Sequence, residues 1–501
     1  MEGDLTLVID IGKSNAKCLF MDAAGAVQAQ YSRPNASVRS SLGYPALDIA
    51  GLAAWLQNTV RQAPLRSQVR RVIASTHGAA LVALAEPGHD ASAPGAAGAT
   101  SLGLAWDPID YEFEGVQPRG VAALAAHASL APFRQTLSPD LPAGLNAGRQ
   151  LDWMQNTHPA AWRRTRCLLP YPQYWAWLLS GVACSEVSSL GCHTHLWQPE
   201  TAQFSDWAVV RGWAALFAPL RPAWAVLGPV RAQIASSWGL PSDCIVHVGV
   251  HDSNACLARY LAPGTAAAPG MAPDQPLTIV SSGTWTVLMA PGAQAHALDA
   301  GKDMLGNVSV RGAVTPTARF MGGREFAALC DGAPPDAATP EDLRQIRDSA
   351  VYAWPSFASQ GGPFAGRSGT VTRAGRALPT PWAAHATAGQ RAALAAIYCA
   401  QLTAWLTRFL WPDAAPAGRL IVEGPLAHNP HYLGVLQALL GDMACSYSTD
   451  TVEGTARGAW QLVHWTSGRP SSAYTEAAPR FSAEETAAWA RYHAVWQVHI
   501  Q

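Results

Sequence analysis

The turn that follows Asp10 carries residue types that suit a phosphate group. Residues 5–9 and 16–21 are apolar runs rich in β-forming residues, so we expect two strands joined by a tight turn. Residues 12–15, Gly-Lys-Ser-Asn, offer backbone N–H groups, small polar side chains and a lysine. Asp10 could hold Mg²⁺, directly or through water. The turn is not a Walker P-loop, which would need Gly at the position of Leu7. An ordinary hairpin with a polar tip is the alternative.

A second stretch, residues 277–289, repeats this arrangement. An apolar run, a small polar turn over residues 281–284 and another apolar run follow one another. The same pattern twice, about half a chain apart, suggests two related domains whose hairpin turns face one nucleotide.

Asp252 follows the apolar run of residues 245–250, which predicts a buried strand, and precedes residues with helical character. It therefore lies at a strand-to-helix junction. Asp is a good helix N-cap, which is one interpretation. The other is a general base at the mouth of a cleft between two domains. The two roles are compatible.

Two further polar clusters are candidates for ligand binding. Thr76-His77-Gly78 comes directly after the predicted strand of residues 70–75, where open α/β sheets place ligand groups. The alternative for His77 is a loop histidine with local hydrogen bonds. Trp106, Asp107, Asp110 and Tyr111 bring aromatic rings and carboxylates together, as sugar sites do, although an ordinary loop with a packed tryptophan is an equal alternative. Most of the twenty tryptophans should be core residues.

Composition excludes several classes of protein. The 501 residues are too many for one compact core, so we expect two domains. Charged residues make up only 14% and the net charge is −1, which argues against nucleic-acid binding. Nine scattered cysteines without a CxxC pair indicate reduced thiols in a cytoplasmic protein. No signal peptide is visible, and no apolar run approaches the ~20 residues of a membrane span.

The remaining pattern predicts the elements around these motifs. Residues 27–31 and 307–314 are the expected third strands of the two hairpins, and residues 388–410 have strong helical periodicity. A strand at 420–423, a Gly424-Pro425 turn and a helix at 430–440 could accept the edge of a nucleoside, or could be an ordinary β–α connection. Residues 319–326, Arg-Phe-Met-Gly-Gly-Arg-Glu-Phe, and the tail after residue 466 suggest no role.

Five motifs in this order resemble the FGGY family of carbohydrate kinases. They are Asp-Ile-Gly-Lys-Ser-Asn from residue 10, Thr-His-Gly around His77, Gly-Val-His-Asp-Ser around Asp252, Ser-Ser-Gly-Thr-Trp from Ser281, and the late Gly turn at Gly424. The resemblance spans residues 8–460. It implies an α/β fold with two actin-like (ribonuclease H-like) ATPase domains and an interdomain cleft that holds ATP and a sugar. The domains would span 1–250 on the sugar side and 251–466 on the nucleotide side, with a tail at 467–501.

The resemblance also implies a role for each motif. Asp252 would be the general base of an ATP- and Mg²⁺-dependent transfer to a hydroxyl group of a ketose, deoxy-ketose or related polyol. The remaining site residues would be Asp10 for the metal; Gly12, Lys13, Ser14, Asn15, Lys17, Ser282, Gly283 and Thr284 for the ATP phosphates; Gly424, Pro425 and Asn429 for adenosine; and Thr76, His77, Gly78, Trp106 and Asp107, with Asp252, for the sugar.

Ser-Ser-Gly-Thr-Trp is most similar to the rhamnulokinase and fuculokinase branch, whereas Thr-His-Gly is more similar to xylulokinase. Glu423-Gly424-Pro425 departs from the family's Gly-Gly pair at the adenosine turn. The family chemistry implies domain closure that excludes water, and it is compatible with a homodimer. Alternatives are a non-catalytic sugar or nucleotide sensor on the same fold and an actin-like chaperone or filament protein.

Overall fold

The computed structural model forms two compact units, each built from several chain segments. It describes residues 4–85, 102–117, 129–262, 275–379, 381–412, 418–450, 452, 454–467 and 475–500. The first unit comprises Met1–Thr265, Gly306–Val314 and Val452–Ser471, and the second comprises Ala266–Leu305, Thr315–Thr451 and Ser472–Gln501. The helix Asp252–Leu261 lies in the first of these units, whereas the sequence-based prediction placed residues 251–466 in the second domain.

The first unit is built on a seven-stranded mixed sheet. Its strands run in the order Val226–Pro229, Ile245–His247, Val69–Thr76, Leu5–Ile11, Asn15–Met21 and Val27–Pro34, and Val250–His251 pairs with Val69–Thr76. Leu5–Ile11 is buried along its whole length, as expected of a central strand between two covered faces. Thr76 pairs in parallel with both Ile11 and His251, so three strand ends meet at one edge of the sheet.

The predicted strand of residues 245–250 is interrupted in the structure. Gly249 has a φ of 87°, and a Cβ atom there would lie 2.6 Å from the carbonyl oxygen of Ala74. Glycine therefore permits the chain to step sideways and resume pairing at Val250–His251. This break sets the direction in which the following helix leaves the sheet.

Short strands and ten helices complete the described part of the first unit. The strands are Val38–Arg39, Pro45–Ala46, Leu81–Leu84, Cys167–Pro170, Trp197–Gln198 and Gln203–Phe204. The helices are Ile49–Gln62, Phe133–Thr136, Ala147–Thr157, Pro159–Trp162, Tyr171–Ser180, Val187–Leu190, Asp206–Val210, Ala232–Trp238, Asp252–Leu261 and Gly454–Val463.

The helix Gly454–Val463 packs closely on Asp252–Leu261. A Cβ atom at Gly458 would overlap the backbone of Ala255, so only glycine allows this approach. Trp460 fixes the same helix to the first hairpin by donating its indole N–H to the carbonyl oxygen of Asp22 at 2.9 Å. A segment from near the end of the chain thus completes the core of the first unit.

The second unit repeats the hairpin arrangement of the first. Leu277–Ser282 and Thr286–Met289 form the hairpin; the first strand pairs in parallel with Arg419–Glu423, and the second pairs antiparallel with Val314–Phe320. Ala444–Ser448 and Thr475–Ala477 extend the sheet. The third strand is therefore Val314–Phe320, not the predicted 307–314; the structure has a separate strand at Leu305–Val308.

Helices cover this second sheet. They are Gly322–Cys330, Pro340–Asp348, Ala388–Leu410, Pro430–Leu439 and Ala483–Ile500, and a small sheet is formed by Val351–Trp354, Thr370–Arg373 and Arg376–Ala377. Among the described residues, Ala388–Leu410 is the one helix whose length and composition would suffice to cross a membrane. Of its most apolar window, 89% is buried inside the structure, as expected for a core helix.

The tail after residue 466 contributes the last helix to the second unit. Trp489, Tyr492 and Trp496 of Ala483–Ile500 are buried. Trp496 donates its indole N–H to the carbonyl oxygen of Ala353 at 2.9 Å, and Tyr492 stacks on Tyr352 with 4.3 Å between ring centroids. The helix therefore packs into the core as a structural element.

Candidate active site

The first hairpin turn is held in shape by one asparagine that the sequence analysis did not select. The Gly12 N–H donates to the Asn15 carbonyl oxygen at 2.9 Å, which closes the turn. Asn35 donates its side-chain amide to the Gly12 carbonyl oxygen at 2.8 Å and its backbone N–H to that of Ser14 at 2.9 Å. Ser14 and Asn15 remain exposed at the tip. The turn is thus a preformed surface for a polar ligand.

Lys13 does not present a free cation at this turn. Its ammonium group pairs with the carboxylate of Asp110, lies 3.5 Å from Glu112 and sits 5.0 Å from the ring centroid of Tyr111. Ser37 donates a further hydrogen bond to Asp110. Burial by itself raises the pKa of Asp110, but the hydrogen bonds from Lys13 and Ser37 outweigh it and hold that pKa below its ordinary value. The lysine predicted to bind phosphate is thus tied to the loop of residues 110–112.

Asp10 ends its strand opposite Lys17. The two residues are partners in the antiparallel pairing of the hairpin, so their side chains share one face of the sheet. Asp10 is largely buried, with 8% of the residue exposed. Both predicted residues therefore lie directly beneath the Gly12–Asn15 turn.

His77 is anchored at the edge where the strand ends meet. Its backbone N–H donates to the carbonyl oxygen of Ile11 at 2.9 Å, and its ring lies between those of Tyr111 and Tyr171, with centroids 5.4 and 5.2 Å away. Nδ1 lies 2.9 Å from the carbonyl oxygen of Gly78, which can only accept, so Nδ1 carries the proton. Burial lowers the pKa of His77. The ring is therefore neutral, and Nε2 is a buried acceptor without a hydrogen-bond partner in the described structure.

Gln150 is a second such acceptor. Its amide nitrogen donates to the carbonyl oxygens of Ala79 at 2.7 Å and Gly144 at 2.8 Å, so the orientation of the amide is fixed. Oε1 is left buried and without a partner among the described residues. The Gly144 N–H in turn donates to the Tyr111 carbonyl oxygen at 2.8 Å, which links Gln150 to the ring that packs on His77.

Asp252 is the first residue of its helix and not its N-cap. The N-cap position is His251, whose side chain makes no capping bond. Asp252 Oδ1 accepts the N–H of Ser253 at 2.6 Å and lies 3.2 Å from His251 Nε2. The Asp252 side chain remains 31% exposed. A carboxylate held on one oxygen, with solvent access, suits a group that accepts a proton from a bound ligand.

His251 is held so that it can orient Asp252. The side-chain nitrogen of Asn254 lies 3.3 Å from Nδ1 of His251 and donates to it. Nε2 of His251 therefore carries the proton and faces Asp252. Burial lowers the pKa of His251, while Asp252 opposes that change. A Cβ atom at Gly78 would lie 2.7 Å from His251 Nε2, so glycine is needed there for the imidazole to occupy this position.

Trp106 and Asp107, predicted to contact a sugar, have structural partners instead. The Trp106 ring is buried, with 5% of the residue exposed, and its indole N–H donates to Thr165 at 3.0 Å. The Asp107 carboxylate accepts from the backbone N–H of Ser41 at 3.0 Å and from its hydroxyl at 3.2 Å. We therefore leave both residues out of the candidate sugar site. Asp110, a member of the same predicted cluster, pairs with Lys13.

In the second unit, the hydroxyl of Ser282 holds the turn at Gly424. It donates to the carbonyl oxygen of Glu423 and accepts the N–H of Leu426 at 3.0 Å. Gly424 has a φ of 80°, and a Cβ atom there would overlap the carbonyl oxygen of Ser282. Ser282, predicted as a phosphate ligand, thus joins the two predicted nucleotide motifs into one framework.

Gly283 and Thr284 form the exposed tip of the second hairpin. The Gly283 N–H donates to the Trp285 carbonyl oxygen at 2.8 Å, and the nearest atom to a Cβ at Gly283 would be 3.7 Å away. A Cβ at Gly323 would instead overlap the Gly283 carbonyl oxygen. The paired glycines of residues 319–326 therefore let the start of Gly322–Cys330 approach the turn, which gives that motif its role.

The adenosine residues predicted from the sequence divide into two kinds. Gly424 and Pro425 are exposed at the turn. The Asn429 side chain caps the helix Pro430–Leu439, accepting the N–H groups of His431 at 3.1 Å and Tyr432 at 2.9 Å. Its oxygen is therefore occupied by the helix, and this local role accounts for an asparagine there.

Comparison with known proteins decides the family. The sequence profile described as "Carbohydrate kinase FGGY, C-terminal domain" matches residues 274–471. The chain is 30% identical to a carbohydrate kinase from Novosphingobium aromaticivorans, whose structure it matches with a TM-score of 0.80 over 100% of this chain and 99% of that chain. The chain belongs to the FGGY family of carbohydrate kinases.

More distant structures share the fold of this FGGY kinase. A ligand-bound xylulose kinase from Lactobacillus acidophilus is 12% identical, with a TM-score of 0.72 over 99% of this chain and 97% of that chain. A glycerol kinase with ADP from Plasmodium falciparum is 11% identical, with a TM-score of 0.70 over 100% and 99%. They confirm the predicted α/β actin-like ATPase fold with two mixed sheets. No curated protein sequence matches the chain.

The first unit of the FGGY kinase gathers its polar groups around His77. Burial has the largest effect on the pKa of the His77 ring, followed by the hydrogen bond with Gly78. The charges of Asp252, Lys13 and Asp110 also act on this pKa. His77, Asp252 and Lys13 were predicted from their motifs, and Asp110 belonged to the predicted cluster of aromatic and acidic residues, but Gln150 was not predicted. Nothing in the local pattern marked Gln150.

The described residues suit a metal ion only together with a bound ligand that supplies further donor atoms. No group of three or more His, Cys, Asp or Glu side chains with metal-binding geometry occurs among them. Asp10, at the strand end beside the exposed turn, offers one carboxylate. Mg²⁺ is commonly bound through one or two carboxylates together with substrate phosphates and water. The donor set therefore fits a magnesium ion that arrives with a nucleotide.

Proposed function

We propose that this FGGY kinase transfers the γ-phosphoryl group of ATP to a hydroxyl group of a ketose, deoxy-ketose or related polyol, with Asp252 as general base. The observation that carries the proposal is the position of Asp252. Its carboxylate begins a helix at the sheet edge, is oriented by Ser253 and His251, keeps access to solvent and neighbours the unpartnered acceptor of His77.

Asp252 would take the proton of the attacking hydroxyl group as the phosphoryl group leaves ADP. Phosphoryl transfer needs positioning and charge stabilisation more than covalent help. His251, neutral and protonated at Nε2, would donate to one oxygen of Asp252, so the other oxygen is directed to the substrate. His77 and the backbone at Thr76 and Gly78 would hold the sugar.

The exposed turns would contact the nucleotide. Ser14, Asn15, Gly283 and Thr284 are tips without side-chain cover, where backbone N–H groups can approach phosphate oxygens. The exposed Gly424-Pro425 turn would receive adenosine. Asp10 would hold Mg²⁺, which supplies charge neutralisation to the phosphates when bound.

Asp252→Asn tests the assignment. Asparagine keeps the oxygen that accepts the Ser253 N–H, so the protein should fold with an unchanged melting temperature. Loss of the base should lower kcat by about 10²- to 10⁴-fold, while ATP and sugar binding stay within a few-fold. Coupled ADP release gives kcat, and calorimetry gives both affinities.

Asp206→Asn is the matched control, because Asp206 is also the first residue of a helix, Asp206–Val210. That variant should keep full activity. A folded Asp252→Asn protein with near-normal kcat would mean that the base lies elsewhere. A wild-type protein that binds sugar and ATP yet releases no ADP over a panel of ketoses, deoxy-ketoses and polyols would favour a non-catalytic sensor.

The cysteines support a cytoplasmic location for the enzyme. All nine are buried, and none forms a disulfide. Burial raises the pKa of several thiols, among them Cys167 and Cys330, each to about 11, which keeps them protonated and inert. A reducing compartment that contains ATP fits both these thiols and the proposed reaction.

A further inference from the structure

The candidate sugar site of the first unit presents hydrogen-bond acceptors that lack donors. Nε2 of His77 and Oε1 of Gln150 are both buried and without a partner in the described structure. The donors of these side chains, Nδ1 of His77 and the amide nitrogen of Gln150, are already bonded to backbone carbonyl oxygens. Buried acceptors are normally satisfied. A ligand that fits here must therefore bring donors, and the hydroxyl groups of a polyol chain do so.

The charges beside these acceptors are mainly negative. Asp110 is buried, with 1% of its side chain exposed, and its pKa is held low, so it is ionised at neutral pH. Asp110 and Glu112 together face the single ammonium group of Lys13, and Asp252 adds a third carboxylate near His77. Among the charges that act on His77, Asp110 and Asp252 outnumber Lys13, which the exposed Glu112 also neutralises, so the net charge around the ring is negative.

We infer that Asp110 is a specificity-determining residue, which keeps sugar acids out of the site and so restricts this kinase to uncharged ketoses and polyols. The inference rests on the proposed function and names the substrate class of that same site. A substrate carboxylate would be repelled by the charges of Asp110 and Asp252 and would find only acceptors at His77 and Gln150. An uncharged hydroxyl group at the same position can donate to His77 or to Gln150.

The Lys13–Asp110 pair explains why the lysine does not rescue an acidic substrate. Lys13 is held by two carboxylates, and Ser37 donates to Asp110 as well, so the cation is already neutralised. Replacing Asp110 by asparagine removes one of the two charges that hold Lys13. The variant should therefore release the ammonium group towards an anionic substrate.

The test compares uncharged and acidic substrates that share a carbon chain. Coupled ADP release is measured with xylitol, D-glucitol, D-xylulose and L-rhamnulose and with the acids D-xylonate and D-gluconate. For wild type, kcat/KM should favour the uncharged compounds by at least 100-fold. Asp110→Asn should reduce this preference at least tenfold, chiefly by raising activity with the acids. Glu112→Gln should reduce this preference two- to fivefold. The native Glu112 side chain is 64% exposed, so its replacement should not disturb the fold.

Asp299→Asn is the matched control. Like Asp110, which pairs with Lys13 and accepts the backbone N–H of Glu112 at 2.9 Å, Asp299 pairs with Lys302 and accepts the N–H of the residue two positions ahead, Gly301. Asp299 lies in the second unit. This variant should leave the preference unchanged. An Asp110→Asn preference equal to that of wild type, or wild-type activity with the acids that equals or exceeds activity with the uncharged compounds, would overturn the inference while leaving the kinase function standing. ADP release with no compound at all would overturn the proposed function itself.

If Asp110→Asn does not fold, two other measurements test the inference: the substrate preference of Glu112→Gln and the binding of substrates to the wild-type protein. In the absence of ATP, the uncharged substrates should raise the melting temperature of wild type and the acids should not. Equal stabilisation by both classes, or an unchanged preference in Glu112→Gln, would contradict the inference.

Discussion

The imidazole of His77 gives its two nitrogens different tasks. Nδ1 fixes the ring on the Gly78 carbonyl oxygen, and Nε2 is left to a ligand. Asparagine at this position can keep the Nδ1 donor while removing Nε2, whereas glutamine can place an acceptor near the Nε2 position. We expect His77→Asn to weaken sugar binding by about 1–3 kcal/mol, the cost of a lost buried hydrogen bond, and His77→Gln to weaken it less.

Isothermal calorimetry with sugar, and separately with ATP, checks this order. ATP affinity measured without sugar should be the same in wild type and both variants. A loss of ATP affinity alone, or a sugar affinity that is equal in the two variants, would show that Nε2 does not contact the sugar.

At the residue scale, sequence patterns identified side chains but not their distant partners. Lys13 looked like a phosphate ligand because it sits in a polar turn, yet its partner Asp110 is 97 positions away. Trp106 looked like a sugar platform, yet its indole donates to Thr165. Neither pairing is encoded in a local motif, because each depends on which loops the tertiary fold brings together.

The two glycines at the second hairpin support different predictions about that element. Gly283 faces open space, so Gly283→Val should keep the native melting temperature. The added side chain should block the approach of phosphate to the backbone, and we expect the ATP KM to rise at least tenfold or turnover to be lost. Steady-state kinetics with varied ATP, together with thermal unfolding, measure both effects.

Gly323→Ala is the structural counterpart. Its Cβ would overlap the Gly283 carbonyl oxygen, so this variant should lose stability by about 1–3 kcal/mol, the usual cost of overpacking. Gly283→Val kinetics that match wild type in a folded protein would remove this turn from the nucleotide site.

At the element scale, a strong helical periodicity was sufficient to predict the limits of a helix, whereas weak strand alternation was not sufficient to place a strand. The helix Ala388–Leu410 has the predicted limits because its apolar face repeats over six turns and Thr387 caps it. The third strand of the second hairpin was misplaced at 307–314, because two neighbouring stretches, Leu305–Val308 and Val314–Phe320, both have strand composition. Only pairing with Thr286–Met289 selects the second of them.

A buried histidine in the last helix predicts how the whole molecule responds to acid. Both ring nitrogens of His493 are buried without partners among the described residues, and burial lowers its pKa to about 3. The unfolded chain, with an ordinary histidine pKa of about 6.5, binds the proton more readily. Stability should therefore be unaffected by this group above pH 6.5 and should fall by up to about 1.4 kcal/mol per pH unit between pH 6.5 and pH 3.

His493→Phe should make this loss shallower, since phenylalanine can stack on Trp496 as the imidazole does, at 5.6 Å between ring centroids. Urea unfolding at several pH values measures the slope. His499→Phe on the exposed side of the same helix should leave the slope unchanged. Identical slopes in wild type and His493→Phe would mean that other groups account for the acid response.

The first unit begins the chain but cannot be finished until most of the chain has been made. Its core needs the helix Gly454–Val463, whose Gly458 packs on Ala255 and whose Trp460 bonds to Asp22. At ribosomal rates of about 5–20 residues per second, roughly 10–40 s pass between the synthesis of residue 265 and that of residue 471. During that interval the surface of Asp252–Leu261 on which Gly454–Val463 packs remains uncovered. The helix that bears the proposed catalytic base therefore gains its complete packing only after the end of the chain has been synthesised.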